Sequence, residues 1–163
     1  MTAPVSDPGE VPLPGPPRLV LDTNVCLDLF VFDDPRCTSL HMALRDGAVI
    51  AVTDDACREE WRRVLPYPVL RLDEAARAAA LARYDAVLQR LAPDAELPAN
   101  ALQAPRCRDP DDQKFLDLAL RAGARWLLSR DAHLLSLARR TRRDGLFEIL
   151  PPEAWLAARS ASA

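Results

Sequence analysis

The amino-acid sequence predicts an α/β fold with a small, mainly parallel sheet of four to five strands. Three observations lead there. Short apolar runs recur along the chain, RLVLD (18–22), AVIAVT (48–53), ARWLLS (124–129) and LFEIL (146–150), each of strand length. Segments with helical spacing lie between and after them, and the connections are mostly short, the pattern of strands alternating with crossover helices. The composition, 49% hydrophobic and 28% charged over 163 residues, supplies a core for one compact domain.

Each element has a local reason. RLVLD reads as the first strand, and Val25–Phe32 as a helix directly behind it. After AVIAVT, the segment DDACREEWRRVL places Ala56, Trp61, Val64 and Leu65 on one helical face. DEAARAAALARYDAVLQRLA (73–92) is Ala-rich with no internal Gly or Pro and reads as one long helix. A Pro-bearing loop, PDAELPANALQAPR, leads into DPDDQKFLDLALRAG, a helix that Gly123 ends. ARWLLS is followed by a helix starting at DAHLLSLARR, and LFEIL by a last helix with prolines at its start, PPEAWLAAR.

The chain divides into a tail at 1–17, a domain at 18–156 and a short tail at 157–163. MTAPVSDPGEVPLPGPP is too rich in Pro for helix or sheet ladders, so a disordered tail is expected, and it lacks the layout of a signal peptide. No apolar run approaches the roughly 18 residues of a membrane helix. Cys26, Cys37, Cys57 and Cys107 show no paired spacing; reduced thiols and a cytoplasmic location are expected, and zinc is not. A net charge of −3 offers no global attraction for nucleic acid, so a polyanion would need local basic patches or a metal.

Acidic residues carry the chemical signal. Asp22 closes the first strand, Glu59 and Glu60 lie on the helix after the second, and Asp131 follows the third. Asp109, Asp111 and Asp112 open the helix that feeds the third strand. In a parallel sheet, ligands gather at the carboxyl ends of the strands. Each acid also has a structural role open to it. Asp22 and Asp131 can cap the helices that follow them, and Asp109 suits an N-cap ahead of Pro110. Glu59 and Glu60 can pair with Arg62 or Arg63 along their helix.

Capping does not explain why four segments deliver acids toward one sheet edge, with no Lys or His evidently placed to neutralise them. Like charges about 4 Å apart repel by roughly 4 kcal/mol at an effective dielectric near 20. Such a cluster raises its pKa values or recruits a cation, and hard oxygen donors favour Mg²⁺ or Mn²⁺. A site of that kind suits phosphodiester hydrolysis.

LDTNV, the acid in REEWRRVL, CRDPDDQKFLDLAL and LLSRDAHLL, in this order, resemble the PIN domain over roughly residues 18–156. The branch most similar is that of bacterial toxin components of toxin–antitoxin pairs. The resemblance implies a three-layer α/β/α fold and a metal-dependent endoribonuclease. It assigns Asp22, Glu60, Asp112 and Asp131 as the catalytic and metal-binding acids, with one or two Mg²⁺ or Mn²⁺ ions. Asn24 and Ser129 match positions that brace these carboxylates, with Asn24 orienting Asp22. Members of the branch often read DPDDD where this chain has Gln113; that departure leaves Asp111 as a second candidate beside Asp112, and helix phase favours Asp112. The implied reaction is in-line attack of metal-activated water on RNA, leaving 5′-phosphate and 3′-hydroxyl ends. The implied partners are RNA, a cognate antitoxin and a second copy of the chain. The alternative is a non-catalytic nucleic-acid or protein binder on the same fold.

Among the cations, Arg130 beside Asp131 is a candidate phosphate contact, as are Arg139, Arg140, Arg142 and Arg143 of RRTRR, although such a run is more often a solvated face. Arg108 and Lys114 are weaker candidates of the same kind. His41 and His133 are expected to be structural, and Trp61, Trp126 and Trp155 to lie in the core.

Overall fold

The computed structural model describes residues 15–92 and 103–161. The N-terminal tail up to Pro14 and most of the loop around Pro98 lie outside the described residues. The chain begins with β1 (Arg18–Leu21), α1 (Thr23–Phe30), α2 (Thr38–Arg45), β2 (Ile50–Thr53), α3 (Asp55–Val64) and α4 (Glu74–Val87). It continues with β3 (Gln89–Arg90), α5 (Gln113–Arg121), β4 (Trp126–Leu128), α6 (Ala132–Leu135), α7 (Ala138–Arg143), β5 (Glu148–Leu150) and α8 (Pro152–Ala161).

The five strands form one sheet in the order β3-β2-β1-β4-β5, with every pairing parallel. The chain therefore builds one way from β1, then returns to β1's other side to build the second half. That reversal puts a topological switch between β1 and β4, and a crevice opens there at the strands' carboxyl ends.

Alternation along the strands makes three layers. Leu19, Leu21, Ala51, Trp126 and Leu128 face one core with Phe30, Trp61, Tyr84 and Trp155. Val20, Val52, Leu127 and Ile149 face the other, with Phe115, Leu116, Leu118 and Leu134. The first core is aromatic: Trp61 stacks on Tyr84 at 5.4 Å, and Trp155 meets Trp126 edge-on at 5.7 Å. All three tryptophans are buried, whereas His41 and His133 are exposed. Among the described residues no helix is long and apolar enough to cross a membrane.

The structure corrects the sequence reading at four places. The long Ala-rich helix stops at Val87: Leu88 turns extended, and Gln89–Arg90 pair beside Val52–Thr53. Helical propensity is a local bias, and the open edge of β2 outweighs it for the last residues. Helix α2, which buries only Leu40 and Ala43, has too few apolar contacts to show as periodicity. The segment after Asp131 divides into α6 and α7, and the last helix runs on to Ala161.

Candidate active site

A cleft of about 320 Å³ sits at the switch point, and Asp22, Glu60, Asp112 and Asp131 all line it. Topology explains the convergence. Asp22 follows β1 and Asp131 follows β4, the two strands that flank the crevice. Glu60 comes from α3, which leaves the carboxyl end of neighbouring β2. Asp112 ends the 3₁₀ turn Pro110–Asp112 at the head of α5, the helix that returns the chain to β4.

Asp22 is 3% exposed and fully engaged. Its amide donates to the Leu128 carbonyl at 3.1 Å. Its Oδ1 accepts from the Val25 amide at 2.9 Å, capping α1, and its Oδ2 accepts from the Ser129 hydroxyl. The cap and the site are thus one arrangement: capping fixes the carboxylate in the crevice. Ser129 in turn accepts from the Asp131 amide at 2.9 Å, which links the ends of β1 and β4. Asp131 caps α6 through the His133 and Leu134 amides. Asn24 lines the cleft as an exposed residue, and Asp22 is held by Val25 and Ser129, not by Asn24 as expected.

Helix phase separates the remaining acids. Glu60 points into the cleft, while Glu59 lies outside and pairs with Arg62 at 3.4 Å. Asp112 lines the cleft, and Asp111 is exposed and does not. The Oδ2 atom of Asp112 is buried with no hydrogen-bond partner. Asp109 caps the 3₁₀ turn by accepting from the Asp111 amide at 3.0 Å.

Burial pushes the Asp22 carboxyl up from 3.8 to about 6, against the opposing bonds from Ser129 and Val25, and the charges of Asp112 and Asp131 add to the rise. Burial likewise lifts Asp112 to about 6, with Asp131, Asp109 and Glu60 reinforcing it and Lys114 opposing. Clustered carboxylates at a cleft are costly in isolation and are characteristic of functional sites. Asp54 is the instructive contrast. It closes β2 as Asp22 closes β1, but Arg121 meets it at 3.2 Å and it stands outside the cleft. Among the described residues, no three His, Cys, Asp or Glu are grouped closely enough to hold an ion directly.

One expectation about cations is overturned, and the arginine candidates lie away from the acids. Lys114 does neutralise one of the acids, with Nζ 2.7 Å from Glu60 Oε1. Arg130 turns away from the cleft to Asp28 at 2.8 Å and to Glu153, tying α1 to the start of α8. Its neighbours recruit it: two carboxylates beside a half-buried guanidinium hold it against the helices. Arg139, Arg140, Arg142 and Arg143 sit on α7 beside β5, and none lines the cleft. Arg140 and Arg143 pair with Asp144, and Arg142 with Glu148.

Three features escaped the sequence reading. Thr23 donates its hydroxyl to Glu60 Oε2; its only signal is its place in the Asp-Thr-Asn triplet. Beside the acids the lining is apolar, formed by Leu27, Val64, Tyr67, Val69, Leu70 and Phe115. Tyr67 and Val69 are exposed there, Tyr67 between the two prolines of PYP and Val69 directly after them. Gln113 also has a structural job. Its Oε1 accepts from the Cys107 amide at 2.7 Å, and its Nε2 donates to the Pro105 carbonyl and to Asp117. Replacing Gln113 by Asp would turn a carboxylate toward that carbonyl and Asp117. It is expected to cost about 1–3 kcal/mol, read as a lower urea midpoint at unchanged slope.

A protein-family model described as the PIN domain matches residues 18–133. A comparison with curated proteins finds none that matches.

Proposed function

The chain belongs to the PIN-domain family, a nuclease-type fold, and from that premise we propose that it is a metal-dependent endoribonuclease acting on single-stranded or loop RNA. The observation that carries the reading is the cleft at the switch point, where Asp22, Glu60, Asp112 and Asp131 arrive from four segments. The donor set fits Mg²⁺ or Mn²⁺: every candidate ligand is a carboxylate oxygen, no His or Cys lines the cleft, and Asp112 Oδ2 is buried without a partner. Mg²⁺ keeps several of its waters and takes only one or two carboxylates directly, so a ring of acids suits it without a tight group of three.

Asp22, Asp112 and Asp131 are the residues that would hold the ion, in part through its waters. Once bound, it would supply a Lewis acid for a phosphate oxygen and a water of lowered pKa. The protein's own contribution is preorganisation. Ser129 and the Val25 amide lock both oxygens of Asp22, and Ser129 sets the Asp131 backbone beside it. Thr23 and Lys114 hold Glu60. The apolar lining of Val64, Tyr67, Val69 and Leu70 offers a face on which an unpaired base could stack.

The reading extends to a biological role on the strength of the motif resemblance: the toxin of a bacterial toxin–antitoxin pair, acting in the cytoplasm. A cognate antitoxin would restrain it, and a homodimer is the proposed form. The decisive experiment is cleavage of a labelled single-stranded RNA by the purified protein in Mn²⁺, in Mg²⁺ and in EDTA. Cutting in either metal that stops in EDTA is expected. RNA bound equally well in EDTA, with no cutting in either metal, would point instead to a non-catalytic binder.

A further inference from the structure

The four acids of the cleft are not in equivalent surroundings. Both oxygens of Glu60 are taken, Oε1 by the Lys114 ammonium at 2.7 Å and Oε2 by the Thr23 hydroxyl. The ion pair is largely enclosed, with side-chain exposures of 18% for Lys114 and 19% for Glu60. Lys114 is the only lysine in the chain, and its ammonium also lies 5.6 Å from the centre of the Phe115 ring, which lines the same cleft. By contrast, no cation pairs with Asp22, Asp112 or Asp131 among the described residues, and Asp112 keeps a buried oxygen without any partner. Of the four acids, Glu60 is therefore ion-paired and the other three have no cation in direct contact among the described residues.

A second divalent ion bridging to Glu60 would have to displace an enclosed ammonium or sit beside it. Removing one partner from an enclosed ion pair is costly, and two cations on one carboxylate repel. An ammonium is a compact point charge that suits this place, and its anchoring from the first turn of α5 sets its reach. We propose that the site takes a single divalent cation on the side of Asp22, Asp112 and Asp131, which would hold it partly through its own waters, and that the Lys114 ammonium stands on Glu60 in place of a second one. This rests on the metal-dependent reading above and narrows it to one ion. Lys114 is a positioning residue in this account: it balances the charge of the cleft and keeps Glu60 turned toward it.

Titration of the metal-free protein with Mn²⁺, followed by calorimetry and by electron paramagnetic resonance, tests the inference without reference to activity. One ion per chain is expected for the native protein and for Lys114→Arg, which keeps the charge. Lys114→Met frees Glu60, and a second ion is expected, with the spectral broadening of two neighbouring Mn²⁺ centres. Two ions in the native protein would overturn the inference and leave the metal-dependent reading standing, as would a single ion in folded Lys114→Met. No Mn²⁺ bound by the native protein would overturn both. If Lys114→Met does not fold, the native stoichiometry of one or two decides.

Discussion

Asp22→Asn is expected to abolish RNA cleavage while leaving the fold intact or firmer. The side chain of Asp22 has two separable jobs. Its Oδ1 caps α1 through the Val25 amide, and Asn serves an N-cap as well as Asp does. Its Oδ2 accepts from Ser129, which itself accepts from the Asp131 amide. The Asn amide would donate where Oδ2 accepted, so the Ser129 hydroxyl loses its acceptor at a cost of about 1–2 kcal/mol. Against that, the substitution removes a charge whose burial lifts the carboxyl from 3.8 to about 6. Such a shift corresponds to roughly 3 kcal/mol of strain in the ionised, metal-free protein above pH 6. The net expectation is an unchanged or slightly higher urea midpoint. Catalysis has no such compensation. Changes to groups that merely support a metal ligand cost roughly 10–100-fold, so losing the central carboxylate should cost more than about 100-fold in initial cleavage rate. A variant that folds normally and cuts RNA at the parental rate would remove Asp22 from the site.

Much of this arrangement is legible in the residues themselves. The strand runs RLVLD, AVIAVT, ARWLLS and LFEIL all form strands, because a strand buried on both faces announces itself as a short unbroken apolar run. What does not show is weakly written or tertiary in origin. Two exposed residues, Gln89 and Arg90, form a strand only because β2 offers them an edge. Helix α2 buries too little to leave a period.

The site divides along similar lines. Position in sequence relative to the strand ends brings Asp22, Glu60, Asp112 and Asp131 together, because the carboxyl edge of a parallel sheet is set by topology alone. Helix phase then separates Glu60 from Glu59 and Asp112 from Asp111. Cations are less readable. Arg and Lys have long side chains whose heads can settle several residues away, and their partners are fixed by packing between elements distant in sequence. Arg130 stands beside Asp131 in the chain but reaches Asp28 and Glu153, and Lys114 crosses from α5 to Glu60 on α3. The sequence also marks Asp22 as either a cap or a ligand. In the structure the two do not exclude each other, since the bond that caps α1 also presents the carboxylate to the crevice.

Asp112→Asn is expected to stabilise the metal-free protein and to remove its response to metal. Asp112 is raised to about 6 by burial and by Asp131, Asp109 and Glu60, and one of its oxygens is buried with no partner. Because its folded pKa lies above its unfolded one, the favourable contribution of the protonated form is full below about pH 4. It is lost as pH rises through 6. Asp22 behaves the same way. Metal-free native protein should therefore gain stability as pH falls from 7 toward 4. Below that the trend reverses: Arg36 holds Asp34 down at about 2 and Arg58 lowers Asp85, so these paired acids lose their stabilising charge as they protonate. The part-exposed Asp112 is screened, so Asn in its place is expected to raise metal-free stability at pH 7 by about 1–2 kcal/mol, and to flatten the gain between pH 7 and 4. Divalent metal acts on the same repulsion from the other direction. Mn²⁺ at about 100 times its dissociation constant should stabilise the native protein by about 2.7 kcal/mol, a rise in Tm of roughly 5–10 °C for a domain this size. The variant, lacking that carboxylate, should melt at nearly the same temperature with or without Mn²⁺. Thermal melts of both proteins at pH 5 and 7, in EDTA and in Mn²⁺, separate the two effects. A native protein that ignores Mn²⁺, or a variant that responds to it equally, would mean that Asp112 faces the cleft for a reason other than holding a cation.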